Sequence, residues 1–218
     1  MIGSADIDAM SDADVEAYLA AQSRREVKRT EPGRSYGILL IICAALGLLA
    51  SLELIYSEIV YFQNPGQALL CDLNPLIGCS KFFDLPINTL VGDIPNALLG
   101  AAFFAGFLAL GLVIVAGGRF ARWLWWLMNL GMLGSILFVL VFVTLSVAVE
   151  RALCPWCMVV WTVTIPMVVH TWTRSMSAGY IPGPAGAARY RWWITGAVYF
   201  ALIAVVVGAF WNEWGQVF

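Results

Sequence analysis

Five apolar segments of about 20 residues dominate this sequence, and that is the length an α-helix needs to cross the hydrocarbon core of a bilayer. The chain of 218 residues is 61% hydrophobic and only 12% charged, which is far more apolar than a soluble domain of this size requires. The sequence therefore predicts an all-α polytopic membrane protein. The predicted segments are residues 37–57, 94–116, 124–147, 154–173 and 193–211.

The distribution of positive charge predicts the orientation, because Lys and Arg in short loops are retained on the cytoplasmic side. Of the 12 Lys and Arg residues, all but Lys81 and Arg151 fall on one side of the five segments. We therefore expect a cytoplasmic N-terminus and an extracytoplasmic C-terminus in the plasma (inner) membrane. The loop 58–93 and the start of the fourth segment then face the outside, where disulfides persist.

A Cys-Pro-Trp-Cys motif, residues 154–157, begins the fourth segment and places two thiols three residues apart. Because Pro155 has no N–H to donate, it fits only a first helical turn, which puts Cys154 and Cys157 at the helix N-terminus. The positive end of the helix dipole stabilises a thiolate there, and a thiolate is the species that attacks disulfides. The motif therefore indicates disulfide exchange.

A second cysteine pair, Cys71 and Cys79, lies in the long apolar loop 58–93, which should fold down onto the helices. Four thiols allow three pairings. Local pairing, Cys71 with Cys79 and Cys154 with Cys157, is the expected resting arrangement. Exchange between the pairs would pass through a transient bond between Cys79 and Cys154.

Two further roles stay open for the four thiols. Together they could hold a structural zinc, although Cys-x7-Cys is a longer spacing than such sites favour. The cysteines could also be packing residues, as we expect for Cys43 within the first segment. The alternative function is thus a cysteine-rich membrane metal-binding or transport protein. A transporter usually carries polar groups at mid-membrane, and here Asn129 is the nearest exception.

The two cysteine motifs, in these positions, resemble the vitamin K epoxide reductase family, specifically its bacterial quinone-linked disulfide-forming members. The likeness covers about 37–173. It includes Val91 to Gly100, which is similar to the Phe-Gly-x-Pro-Asn pattern of several bacterial relatives. The resemblance implies a four-helix transmembrane bundle that encloses a quinone, with the remaining segment as a fifth transmembrane helix and no metal.

The resemblance also implies a role for each paired cysteine. Cys157 would face the quinone, Cys154 would exchange with Cys79, and Cys71 would meet a partner protein. Some bacterial relatives continue past a fifth helix into a thioredoxin-like domain, whereas this sequence ends at Phe218. We therefore expect the partner to be a separate extracytoplasmic thioredoxin-fold (DsbA-like) protein, and no nucleic acid.

The quinone-binding residues are likewise carried over by resemblance. Asn88 stands where the family has a quinone-binding Asn, with Thr89 and Asn96 as the other hydrogen-bond donors. Trp161 replaces a Tyr that many members carry, and can stack on a quinone ring. Leu85 replaces a Ser or Thr that relatives often have.

These expectations together describe a membrane thiol oxidase that passes electrons from its partner through both cysteine pairs to a membrane quinone, menaquinone or ubiquinone. Disulfides would thereby form outside the cytoplasm. The expected organisation of the chain is a cytoplasmic N-terminal segment (1–35), a four-helix redox bundle (36–173), a cytoplasmic loop (174–192), a fifth transmembrane helix (193–211) and an extracytoplasmic tail (212–218).

Overall fold

Six long helices make up most of the chain. The computed structural model describes residues 11–30, 32–64, 66, 69–74, 76–89, 94–184 and 186–211, except the side chains of 22–30, 86 and 87. Within these residues there is no strand, and an isolated parallel bridge joins Ile77 to Leu153. The all-α architecture is thus confirmed. The helices are α1 (Asp12–Thr30), α2 (Arg34–Gln63), α3 (Asn96–Val115), α4 (Arg122–Thr144), α5 (Pro155–Ala178) and α6 (Arg191–Ala209).

Helix α1 belongs to a compact unit of its own, residues 1–32, and the other helices belong to a second unit, residues 33–218. Ser11 lies at the start of α1. Its hydroxyl donates to the Asp14 carboxylate at 2.6 Å, and the Asp14 N–H points back to the hydroxyl at 3.4 Å. This reciprocal contact satisfies one of the N–H groups that a helix start leaves unbonded.

Four of the described helices are long and apolar enough to cross a membrane: α2, α3, α4 continued to Val149, and α6. The exception among the five predicted segments is α5. Its 24 residues span about 36 Å, which is long enough, but Thr, Trp, His and Pro lower its hydropathy. Residues 163–171 are all buried against other helices, so the polar side chains within this stretch, Thr164, His170 and Thr171, face protein and not lipid. This is a multi-pass membrane protein in which the least apolar of the five predicted segments is packed against three other helices.

Helices α2 and α3 pack closely because small residues lie between them. A Cβ placed on Gly47 would clash with the Phe104 ring, and one on Gly111 would meet the Gly37 carbonyl oxygen at 3.1 Å. Helix α3 contacts α2 along its length but makes few contacts with α4 within the described residues. A gap is therefore left between α3 and α4.

The segment between α4 and α5 is held in place by Arg151. After a π-helical turn, Leu145–Val149, Arg151 adopts a positive φ of 48°. Its guanidinium donates to the carbonyl oxygens of Val147 at 3.1 Å and Ala209 at 2.8 Å, and lies 5.2 Å from the centre of the Phe210 ring. The end of α6 is thereby fastened to the chain three residues before Cys154.

Candidate active site

Cys154 caps the N-terminus of α5, with Pro155 at the first helical position. Its sulfur accepts the Cys157 N–H at 3.4 Å, and its side chain is fully buried. Cys154 lies immediately before α5, outside the helix itself. Hydrogen bonds from the Cys157 thiol and from the N–H groups of Cys157 and Trp156 outweigh burial and hold the pKa of the Cys154 thiol below its ordinary value. This cysteine is therefore prepared to act as a thiolate.

The cysteine loop, residues 69–89, carries a disulfide between Cys71 and Cys79, whose Cα atoms are 5.8 Å apart. The Asp72 carboxylate accepts the N–H groups of Cys79 at 2.7 Å and Ser80 at 3.2 Å, which caps the one-turn helix Ser80–Phe83. A Cβ on Gly78 would lie 2.6 Å from the same carboxylate oxygen. Only glycine leaves room for this cap.

Backbone hydrogen bonds join the cysteine loop to the residue before Cys154. The Leu153 N–H donates to the Leu76 carbonyl at 2.8 Å, and the Gly78 N–H donates to the Leu153 carbonyl at 3.0 Å. These bonds set the sulfur of Cys154 3.3 Å from the sulfur of Cys79. Exchange between the pairs therefore needs no large movement.

The two pairs differ in redox state in this structure. Cys71 and Cys79 form a disulfide, as predicted, whereas Cys154 and Cys157 are both free thiols and not the second resting disulfide that the sequence predicts. Cys43, the fifth cysteine, is half-buried against the apolar core between the helices and belongs to neither pair.

A cavity of about 60 Å³ lies beside the thiols. The Asn88 side-chain amide donates to the Glu58 carboxylate at 2.6 Å within its wall. Of the predicted quinone-binding residues, Asn88, Asn96 and Trp161 line the cavity, but Thr89 does not. The lining residues are Ser51, Leu54, Glu58, Cys79, Phe82, Phe83, Asn88, Asn96, Ala97, Gly100, Phe138, Phe142, Cys154, Cys157, Val160 and Trp161.

A second cavity, of about 250 Å³, occupies the gap between α3 and α4. It shares Gly100, Phe138 and Val160 with the first, so the two adjoin across a common wall. Gly131 and Gly134 contribute no side chain to fill it. A second, mainly apolar cavity thus lies next to the cavity that the thiols line.

Sequence reasoning missed Glu58, which is 7% exposed. The predicted loop begins at residue 58, whereas α2 continues to Gln63 and carries this carboxyl on its inner face. The signal was present in the sequence, since an ionisable residue at the end of an apolar segment is costly to bury and often functional.

Some predicted features lie outside the described residues: Val91, Gly92 and Asp93 of the family-like motif, and the tail 212–218. Within the described part of the chain, no group of three or more His, Cys, Asp or Glu side chains is placed to hold a metal ion.

In this helical membrane protein, a thiol pair lies next to a loop disulfide, beside an internal cavity. This arrangement indicates a membrane thiol–disulfide oxidoreductase. A family model described as the vitamin K epoxide reductase family matches residues 38–172, more than half of the chain. The chain therefore belongs to that family, whose members are membrane oxidoreductases that act on disulfides and quinones. No curated protein matches the chain at a significant level.

Proposed function

We propose that this protein is a bacterial-type thiol oxidase that passes electrons from a thioredoxin-fold partner, through two cysteine pairs, to a membrane quinone. The observation that carries this proposal is the 3.3 Å contact between the sulfurs of Cys79 and Cys154, with a cavity on the other side of the same thiols. A structural disulfide would need neither a nearby free thiol nor a cavity.

The relay between the pairs is two successive thiol–disulfide exchanges. The Cys79 thiolate attacks a Cys154–Cys157 disulfide at Cys154, which forms a 79–154 bond and releases Cys157. Cys71 then attacks Cys79, so the loop disulfide forms and Cys154 leaves as a thiolate. Two electrons have then moved to the Cys154–Cys157 pair.

The side chains that line the two cavities are of the kinds that would bind a quinone ring and its isoprenoid chain. A bound quinone would supply an acceptor for two electrons and two protons. Asn88 keeps one side-chain N–H for a carbonyl oxygen while the other binds Glu58, and Trp161 and the Phe side chains offer faces for a flat ring. The free space beside the thiols has room for only a few waters, so a ring must extend toward the second cavity, whose apolar walls suit an isoprenoid chain.

The partner must reach the loop pair, and the burial of Cys71 places a condition on this step. Cys71, the cysteine assigned to the partner, is only 3% exposed, whereas Leu70 and Leu73 beside it are 89% and 69% exposed. We infer that the partner binds these leucines and displaces residues 69–74 before its thiolate reaches Cys71. Asp72 lies within this segment, so its carboxylate cap on the Cys79 N–H must open in the same movement.

The proposed orientation puts both cysteine pairs outside the cytoplasm of a plasma (inner) membrane, with the N-terminus inside and the C-terminus outside. This orientation is supported by the positive charges, because ten of the 12 Lys and Arg residues lie on the opposite side of the predicted segments from the cysteine pairs. In the proposed division of the chain, the redox bundle takes 36–173 and the fifth transmembrane helix takes 193–211.

The decisive experiment mixes purified protein with a reduced thioredoxin-fold partner and a short-chain quinone. We expect quinone reduction that depends on both proteins, together with disulfide formation in the partner. Absence of quinone reduction, with stoichiometric zinc or copper in the purified protein, would instead support the metal-binding alternative.

A further inference from the structure

Glu58 is the one carboxyl among the described residues that line the thiol cavity, and no Lys, Arg or His is among those residues. It shares that wall with the free thiols of Cys154 and Cys157, which are the other titratable groups facing the space, and with Cys79, whose sulfur belongs to the loop disulfide. The remaining polar liners, Ser51, Asn88 and Asn96, carry hydroxyl or amide groups that neither take up nor release a proton at ordinary pH. Glu58 is therefore the cavity's candidate proton carrier.

The proposed reaction needs such a carrier. When Cys154 and Cys157 form a disulfide, two protons leave the sulfurs, and two protons must arrive on the oxygens of the reduced quinone. The free space holds only a few waters, so bulk water is a poor route once a ring is bound. A fixed group that can both accept and donate a proton solves this problem.

The contact with Asn88 holds Glu58 in position. An ionised carboxylate can only accept hydrogen bonds, so the amide nitrogen of Asn88 must face it, as the 2.6 Å contact shows. One carboxylate oxygen is thereby engaged, and the second remains for a thiol or a ligand hydroxyl. Asn88 and Glu58 are brought together from the cysteine loop and from α2, 30 positions apart in the chain.

We propose that Glu58 carries protons between the Cys154–Cys157 dithiol and the bound quinone, an inference that rests on the proposed function. Its carboxylate takes the proton of one thiol as the S–S bond forms and the electron pair leaves for the quinone. The carboxyl then gives that proton to a reduced oxygen. The second proton, from the other thiol or from water where Cys154 is already ionised, follows by the same path, so two electrons and two protons reach the quinone and Glu58 ends unchanged.

The test is Glu58→Gln, which keeps a side-chain oxygen for Asn88 but cannot carry a proton. With dithiol-reduced protein and a short-chain ubiquinone, we expect kcat to fall by about 10² to 10⁴ while KM for the quinone changes little. Glu58→Asp should recover part of kcat. Glu53→Gln, on the exposed face of the same helix, is the matched control and should behave as wild type.

A second measurement follows disulfide exchange without quinone. Glu58→Gln should oxidise the loop pair at the wild-type rate, as read by alkylation and peptide mapping, because that step does not use the carboxyl. An unchanged kcat would overturn the proton role, as would a rise in KM alone, which would make Glu58 a support for Asn88 only. If wild type itself reduces no quinone, the proposed function fails first, and this outcome is distinct from the others.

Labelling of the wild-type protein keeps the inference testable if Glu58→Gln does not fold. Dicyclohexylcarbodiimide, an apolar carboxyl reagent, should modify Glu58 and stop quinone reduction in parallel, and prior addition of the ubiquinone should protect both. Full turnover by protein labelled at Glu58 would contradict the proposal.

Discussion

The two ends of the helical bundle both bury polar side chains, but for different purposes. At the thiol end, Glu58, Asn88 and the cysteines surround a cavity. At the opposite end, which we call the tyrosine end, Tyr36 and Trp125 are buried and stack, and the Tyr36 hydroxyl bonds Thr171 at 2.8 Å. Polar groups that satisfy one another stabilise a fold, whereas polar groups that face a cavity remain available to a ligand.

Asn129 is intermediate between these two cases, because its side-chain nitrogen is bonded within the bundle while its buried side-chain oxygen has no hydrogen-bond partner among the described residues. Its side-chain nitrogen donates to the Trp125 carbonyl at 2.6 Å and to the Ser175 hydroxyl at 2.8 Å. The polar residue that the sequence places nearest to mid-membrane therefore joins α4 to α5. Such contacts within the bundle serve packing, so mutations at the two ends should have separable effects.

The largest effect is expected from Cys154→Ser and Cys157→Ser. Each removes one half of the disulfide at the start of α5, so quinone reduction should fall to the uncatalysed rate. The assay is quinone absorbance with reduced partner. Cys43→Ser, a matched change at a cysteine outside the site, should keep near-normal turnover. Substantial oxidase activity in either active-site variant would rule out the relay.

The order of exchange can be tested by trapping. Cys157→Ala removes the thiol that would recapture Cys154, so a 79–154 disulfide should accumulate with Cys71 left free. Cys79→Ala should instead hold Cys71 in a mixed disulfide with the partner. Rapid alkylation followed by peptide mapping reads both outcomes. If the partner is captured only by Cys79, in a Cys71→Ala variant, the order is reversed.

A smaller effect is expected from Asn88→Ala, which removes one hydrogen bond to a ligand carbonyl. Such a bond is worth about 0.5–1.5 kcal/mol, so the apparent KM for quinone should rise by roughly 2- to 13-fold. Titration of turnover against quinone concentration measures this change. An unaltered KM at full expression would transfer the binding role to Asn96, because Thr89 does not line the cavity.

The smallest effect on catalysis should come from the tyrosine end. Tyr36→Phe removes the bond to Thr171 and should lower the free energy of unfolding by about 0.5–1.5 kcal/mol, with kcat and KM unchanged. Thermal unfolding in detergent and the quinone assay test the two parts. A selective loss of turnover in a well-folded variant would show that the ends are functionally coupled.

Local sequence was sufficient for several features. A proline between two cysteines can occupy only the first turn of a helix, which made the capping position of Cys154 predictable. Five segments of membrane-spanning length led to the all-α class, and a Cys-x7-Cys loop followed by Cys-Pro-Trp-Cys led to the family. Each of these inferences depends on the covalent order of neighbouring residues, which sequence contains in full.

A second group of features was decided only by the tertiary structure, because they depend on contacts between residues far apart in the chain. The burial of α5 requires three surrounding helices, so its low hydropathy could not be interpreted from its own residues. The contact between Glu58 and Asn88 joins α2 to the cysteine loop. Cys79 was already the expected neighbour of Cys154, but the hydrogen bonds between Leu153 and residues 76–78 that place it there follow a pairing register that sequence order does not specify.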